Sequence, residues 1–182
     1  MTQSALIIID LQNDYFLGGA FPLAQVEETL CAIESAIKKA QAANMPIVLV
    51  QHVANPATGI APFFNQDTEG VKIHPRILAA ASHAPIVIKH FADSFEKTTL
   101  HETLQALHVD ELILCGMMTQ NCVTHTALSR QADAYKNVSV LTDASTTVSE
   151  ILHLIALNAL STRVTLGTVN ELIYSLQNQI DE

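Results

Sequence analysis

A chain of 182 residues is long enough to bury a full hydrophobic core and too short to divide comfortably, so one domain spanning residues 1–182 is expected. With 49% hydrophobic and 15% charged residues it reads as a well-buried α/β protein with some apolar surface left to cover. Nine Lys and Arg against eighteen Asp and Glu leave a formal charge of −9, which repels phosphate backbones and anionic lipid and argues against nucleic-acid and membrane partners.

In chain order, Met1 to Ser4 carries no basic leader and runs straight into the apolar stretch Ala5 to Ile9, the first predicted strand. No apolar run approaches the roughly 20 residues of a spanning helix, so a cytoplasmic location is expected. Val26, Leu30, Ile33 and Ile37 form one stripe of an amphipathic helix that also holds Cys31. Pro46 to Gln51 is the second strand. The irregular connection from Val53 to Gly70, with Asn55-Pro56, Gly59, Pro62 and Phe63-Phe64, suits a lid or pocket wall. Pro85 to Lys89 is the third strand, followed by a helix with Leu100, Leu104 and Leu107 on one face. Glu111 to Cys115 is the fourth strand, Thr119 is the expected N-cap of the next helix, and Cys122 then falls in its first turn. Val138 to Thr142 is the fifth strand. Ile151 to Leu160 is apolar nearly all round and is expected in the interior, and Arg163 to Gly167 is the sixth strand.

These strands read as apolar throughout, as parallel strands covered on both faces must be. Their alternation with helices implies right-handed crossovers and a doubly wound sheet, with ligands beyond the carboxyl ends of the strands. Three polar residues stand at that edge: Asp10 after the first strand, Lys89 closing the third, and Cys122 beyond the fourth. Taken singly, Asp10 could cap a turn, Lys89 could be a solvated strand end, and Cys122 could be a small core residue. Their shared position favours chemistry. A thiol at a helix N-terminus is stabilised as thiolate by the same unpaired N–H groups that can hold an oxyanion. Cys31 and Cys115 lie within an amphipathic helix and a buried strand and are expected to be inert.

The sequence resembles the isochorismatase-like cysteine hydrolases, a family that includes nicotinamidases, carbamoylsarcosine amidases and ureidoacrylate amidases. The resemblance rests on Ile9-Asp10-Leu11-Gln12-Asn13-Asp14-Tyr15-Phe16, on Lys89 followed by Phe95, Thr98 and Leu100, and on Gly116 through Thr126-Ala127, with Tyr135 and Asp143-Ala144 downstream. It implies Cys122 as nucleophile, Asp10 as proton acceptor and donor, and Lys89 as the cation that favours the thiolate. It also implies a cis peptide between Met117 and Met118, an oxyanion hole from the backbone N–H groups of Met118 and Cys122, and a homo-oligomer, dimer or tetramer. The fold implied is a three-layer α/β/α sandwich around a six-stranded parallel sheet in the order 3-2-1-4-5-6. In that order Lys89, on an outer strand, must reach inward to a site centred between the first and fourth strands. Family members that cleave a vinyl ether lack the cysteine, so Cys122 points to hydrolysis of a C–N bond in a small-molecule amide or ureido substrate.

Some positions depart from the family. Nicotinamidases carry a metal held by an aspartate and a closely spaced histidine after the second strand, whereas this chain reads Val50-Gln51-His52-Val53-Ala54-Asn55. With His52, His74 and His90 each unaccompanied, no metal and no other cofactor is expected. Asp93-Ser94 and Ala134 replace residues that are commonly small or glycine, which bears on substrate identity. Phe16, His52, Phe63 and Phe64 are candidates for the substrate pocket, and equally for ordinary core or loop aromatics. The alternatives to a cysteine amidase are a metal-dependent nicotinamidase and a non-catalytic relative that binds a small ligand or senses oxidants through Cys122.

Overall fold

The computed structural model describes residues 2–178. Six parallel strands, β1 (Ser4–Ile9), β2 (Ile47–His52), β3 (Ile86–Lys89), β4 (Glu111–Met117), β5 (Asn137–Thr146) and β6 (Thr165–Gly167), form one sheet in the order β3-β2-β1-β4-β5-β6. The helices are α1 (Val26–Ala42), α2 (Pro75–Ala80), α3 (Leu100–Ala106), α4 (Thr124–Ala127), α5 (Glu150–Leu160) and α6 (Val169–Asn178).

The two-residue alternation of side chains along each strand divides the core into two layers. From β1, Leu6 and Ile8 pack with Leu30, Ile33 and Ile37 of α1, Ile77 of α2 and Ile173 of α6. Ala5, Ile7 and Ile9 of the same strand pack on the other face with Leu100 and Leu104 of α3, Val123, and Leu157 and Leu160 of α5. Because β1 is covered on both faces, all six of its residues are buried, and an unbroken apolar run is what such a strand requires. The strand order reverses between β1 and β4, which opens the crevice at their carboxyl ends where doubly wound sheets hold ligands.

Two elements differ from the reading of the sequence. The edge strand β3 is covered on one face only: Val87 and Lys89 are buried, while Ile86 and Ile88 are 47% and 53% exposed. Helix α5, expected in the interior, buries Ala156, Leu157 and Leu160 but leaves Ile151, Leu154 and Ile155 at 73%, 56% and 60% exposure. An apolar circumference marks what a helix could bury, and here a single sheet face covers only one side of it. Among the described residues no helix is long and apolar enough to cross a membrane.

Candidate active site

Asp10 is the first residue beyond β1 and takes a positive φ of 56°. Its N–H donates to Val50 O at 3.0 Å, so the turn is tied to the neighbouring strand β2. The next residue but one, Gln12, is fully buried and clamps the end of β2: its Oε1 accepts from His52 N at 2.8 Å, and its Nε2 donates to His52 O and to Val71 O, each at 2.7 Å. Asp14 ties the long connection to the site, accepting from Phe64 N at 2.7 Å and Ala20 N at 3.1 Å.

Lys89 ends β3 beside His52 in register. Its side chain places Nζ 2.9 Å from Asp10 Oδ2, with both side chains wholly buried. The reach from the outer strand is thus accomplished by the length of the lysine side chain. Nζ also donates to Phe91 O at 3.1 Å and Ala92 O at 3.4 Å, and lies 3.0 Å from His52 Nδ1. The contact with Asp10 is close but poorly directed, so both carboxylate oxygens lack a well-aligned hydrogen bond.

Cys122 is reached from β4 through Gly116, whose φ is 122°, and a cis peptide between Met117 and Met118. The chain then forms one π-helical turn, Thr119–Val123, before α4. Thr119 does not cap this turn. Its hydroxyl is buried 2.8 Å from His153 Nδ1 of α5, and the cap position is taken by Met118 without a side-chain hydrogen bond. Cys122 is 2% exposed, and ligand atoms of Asp10, His52 and Cys122 all lie within 4.8 Å of one another.

Burial dominates the electrostatics. It pushes the Cys122 thiol up to about 12, with Asp10 adding to the rise and Lys89 opposing it. Burial alone would lower Lys89, but the attraction of Asp10 and Cys122 outweighs it and holds the ammonium above its ordinary value. His52 is pressed down to about 4, first by burial and then by Lys89, so its imidazole is neutral at physiological pH. The Tyr15 hydroxyl is raised well above its ordinary value by burial, with Asp10 and Cys122 contributing.

Asp10, His52 and Cys122 form the one cluster of three or more potential metal ligands among the described residues. Their arrangement does not fit a resident divalent ion. The Lys89 ammonium already stands between Asp10 Oδ2 and the Nδ1 lone pair of His52, and a second cation there would meet its charge at contact distance.

Phe63 and Phe64, within the long connection, pack with Tyr15 and Phe21 in an aromatic cluster, with Phe64 fully buried 5.9 Å from the His52 ring. Phe16 is buried against the His74 ring at 4.3 Å. Of the other thiols, Cys115 is buried, whereas Cys31 is exposed beside Arg76 Nη2 at 3.7 Å. The expectation that Cys31 is inert is therefore corrected: the polar face of α1 leaves it open to reagents. Gln12 stands in the first block of the resemblance but is given no role there, and the sequence does not single out His153, since a glutamine and a histidine on such stretches look like solvated residues until their partners are known. A cavity of about 460 Å³ lined by Met45, Pro46, Ile47, Ala84, Pro85 and Leu107 lies at the opposite, amino end of β2 and β3, away from these residues.

The isochorismatase domain model matches residues 4–171. The chain is 34% identical to the uncharacterized isochorismatase family protein YddQ of Bacillus subtilis, over 80% of this chain and 79% of that protein. It is 29% identical to the nicotinamidase of Escherichia coli, over 79% of this chain and 83% of that one. A solved structure from Oleispira antarctica, described as an isochorismatase hydrolase, superposes with a TM-score of 0.84 at 31% identity, covering 95% of this chain and 97% of that one. The sheet order, the three-layer arrangement and these matches agree, and the chain belongs to the isochorismatase family of hydrolases.

Proposed function

We propose that the protein is a cysteine hydrolase that cleaves a C–N bond of a small amide or ureido compound through a thioester on Cys122. The observation that carries this reading is the convergence of Asp10, Lys89 and Cys122, from three separate strand ends, at one buried point. Burying an acid, a cation and a thiol together is costly unless each answers another, and simple ligand binding has no need of all three.

The chemistry follows from the charges. At rest the Cys122 thiol is neutral, so thiolate must form as attack begins. Asp10 takes the Sγ proton while the sulfur bonds to the carbonyl carbon, and the backbone N–H groups of Met118 and Cys122 hold the oxyanion. Asp10 returns the proton to the departing nitrogen, which leaves as the C–N bond breaks. Water then attacks the thioester, giving its proton to Asp10, and the thiol is restored as the acid leaves. Throughout, Lys89 balances the negative charge shared between Asp10 and Cys122. A positioned acid–base group of this kind contributes roughly 10²–10⁴ in rate.

A screen for ammonia release over small amides, ureas and carbamates, with Cys122→Ala as the blank, tests the reading. Turnover by the wild type that vanishes in the variant is expected, and turnover that survives it overturns the reading. We further propose self-association, supported by the apolar face of Ile151, Leu154 and Ile155 on α5, whose burial by a second copy would remove exposed hydrocarbon from water. Sedimentation at micromolar concentration is expected to give a dimer or larger, and a monomer refutes it.

A further inference from the structure

His52 and Lys89 are cross-strand neighbours on the last rung between β2 and β3, and their side chains meet at 3.0 Å between Nδ1 and Nζ. A lysine ammonium has donors and no acceptor, so this contact has one polarity: the Nδ1 lone pair accepts, and the ring proton resides on Nε2. The ammonium has three protons, and four acceptors surround it: His52 Nδ1, Asp10 Oδ2, Phe91 O and Ala92 O. His52 is therefore one of the groups that decide where the ammonium stands. Its own place is fixed by the buried amide of Gln12, which grips both the N–H and the carbonyl of its backbone.

We infer that His52 is a positioning residue whose neutral imidazole, docked on Lys89 Nζ, sets the distance of the ammonium from Asp10 and Cys122 and so tunes how strongly the Cys122 thiolate is favoured. The inference rests on the function proposed above. The charged and titratable groups facing His52 are Lys89, Asp10, His90 and Cys122, and those facing Cys122 are Asp10, Lys89, His52 and Tyr15. Of these, Lys89 alone draws the Cys122 thiol downward, and it is the group His52 holds. Without the imidazole, the ammonium loses one of its four acceptors and is held on one side only by the Phe91 and Ala92 carbonyls, so its hold on the Cys122 thiolate is expected to weaken.

The test uses the full chain in a Cys31→Ser background, with iodoacetamide as probe and mass spectrometry to read Cys122. The midpoint of the labelling rate against pH is the readout, because a wider pocket changes access equally at every pH and leaves the midpoint in place. His52→Ala is expected to raise the midpoint by about half a pH unit or more, equivalent to about threefold less thiolate at a given pH below it. His52→Asn, whose Oδ1 can stand where Nδ1 stood, is expected to restore most of the shift. An unmoved midpoint in His52→Ala, or an Asn variant no better than Ala, overturns the inference. Lys89→Met separates the two readings. A midpoint unmoved by Lys89→Met refutes the role of Lys89 itself, whereas a midpoint moved by Lys89→Met but not by His52→Ala refutes only the role of His52. Should the alanine variant fold poorly, ¹⁵N-histidine spectra of the wild type decide: His52 protonated on Nε2 at neutral pH is expected, and the Nδ1–H tautomer overturns the inference.

Discussion

Replacing Gly116 by alanine is expected to destabilise the fold and disable the site together. A Cβ at this position would stand 2.1 Å from Ile9 O, 2.8 Å from Ile9 N and 2.9 Å from Ile9 C, all backbone atoms of β1. That strand is hydrogen-bonded to β2 on one side and β4 on the other, so it has nowhere to retreat. The φ of 122° adds a second cost, because only glycine adopts it freely. About 1–2 kcal/mol for the backbone conformation and about 1–3 kcal/mol for overpacking sum to roughly 2–5 kcal/mol. At about 2–4 °C per kcal/mol for a chain of this size, the melting temperature should fall by roughly 10 °C in a circular-dichroism melt. Ile9 adjoins Asp10 and Gly116 adjoins Met117, so labelling of Cys122 at 25 °C should change as well, where the variant is still folded. A melt within about 2 °C of wild type would show that the strands yield, and would refute this account of why glycine stands there.

Thr126→Val should cost about 1–3 kcal/mol in urea unfolding, since Thr126 Oγ1 accepts from Ser94 N at 3.0 Å and donates to Ser94 Oγ at 2.8 Å in a wholly buried pair, and valine leaves that N–H without a partner. His52 should make stability depend on pH. Its folded value of about 4 lies below the ordinary 6.5, so the native state binds fewer protons, and its contribution is complete above pH 6.5 and lost as pH falls towards 4. His52→Asn should flatten that part of the stability–pH curve, and an unchanged slope would assign the effect to other groups. Brief treatment of the native protein with iodoacetamide should label Cys31 readily and leave Cys115 untouched, as exposure and burial dictate, and labelled Cys115 in a folded sample would contradict its packing.

Much of the architecture was legible because buried parallel strands need apolar runs, and those runs located β1, β2 and β3 to within a residue at each end. The stripe of α1 was legible for the same reason: Leu30, Ile33 and Ile37 are all fully buried. β5 was harder to bound. Its ladder with β4 shifts register after Leu114 and resumes at Gly116 opposite Ser145, so the strand continues through polar residues to Thr146. The surplus hydrophobicity of α5 was visible in the sequence, but which part of its circumference is covered depends on the neighbours of the helix, and a one-dimensional pattern does not contain them. At the site, the strand-end positions of Asp10, Lys89 and Cys122 could be read from spacing. The hydrogen bonds that hold them could not. Gln12 to His52, Thr119 to His153 and His52 to Lys89 join residues 34 to 40 positions apart, and polar side chains carry no periodic signal of the kind that reveals a core.

The covalent role of Cys122 is the centre of this account, and acid-quenched mass spectrometry during turnover of an amide found by ammonia release tests it most directly. The expected result is an acyl adduct confined to the peptide containing Cys122, present in the wild type at steady state and absent in Cys122→Ala together with turnover. A Cys122→Ala protein that hydrolyses the same amide at the wild-type rate would contradict the account.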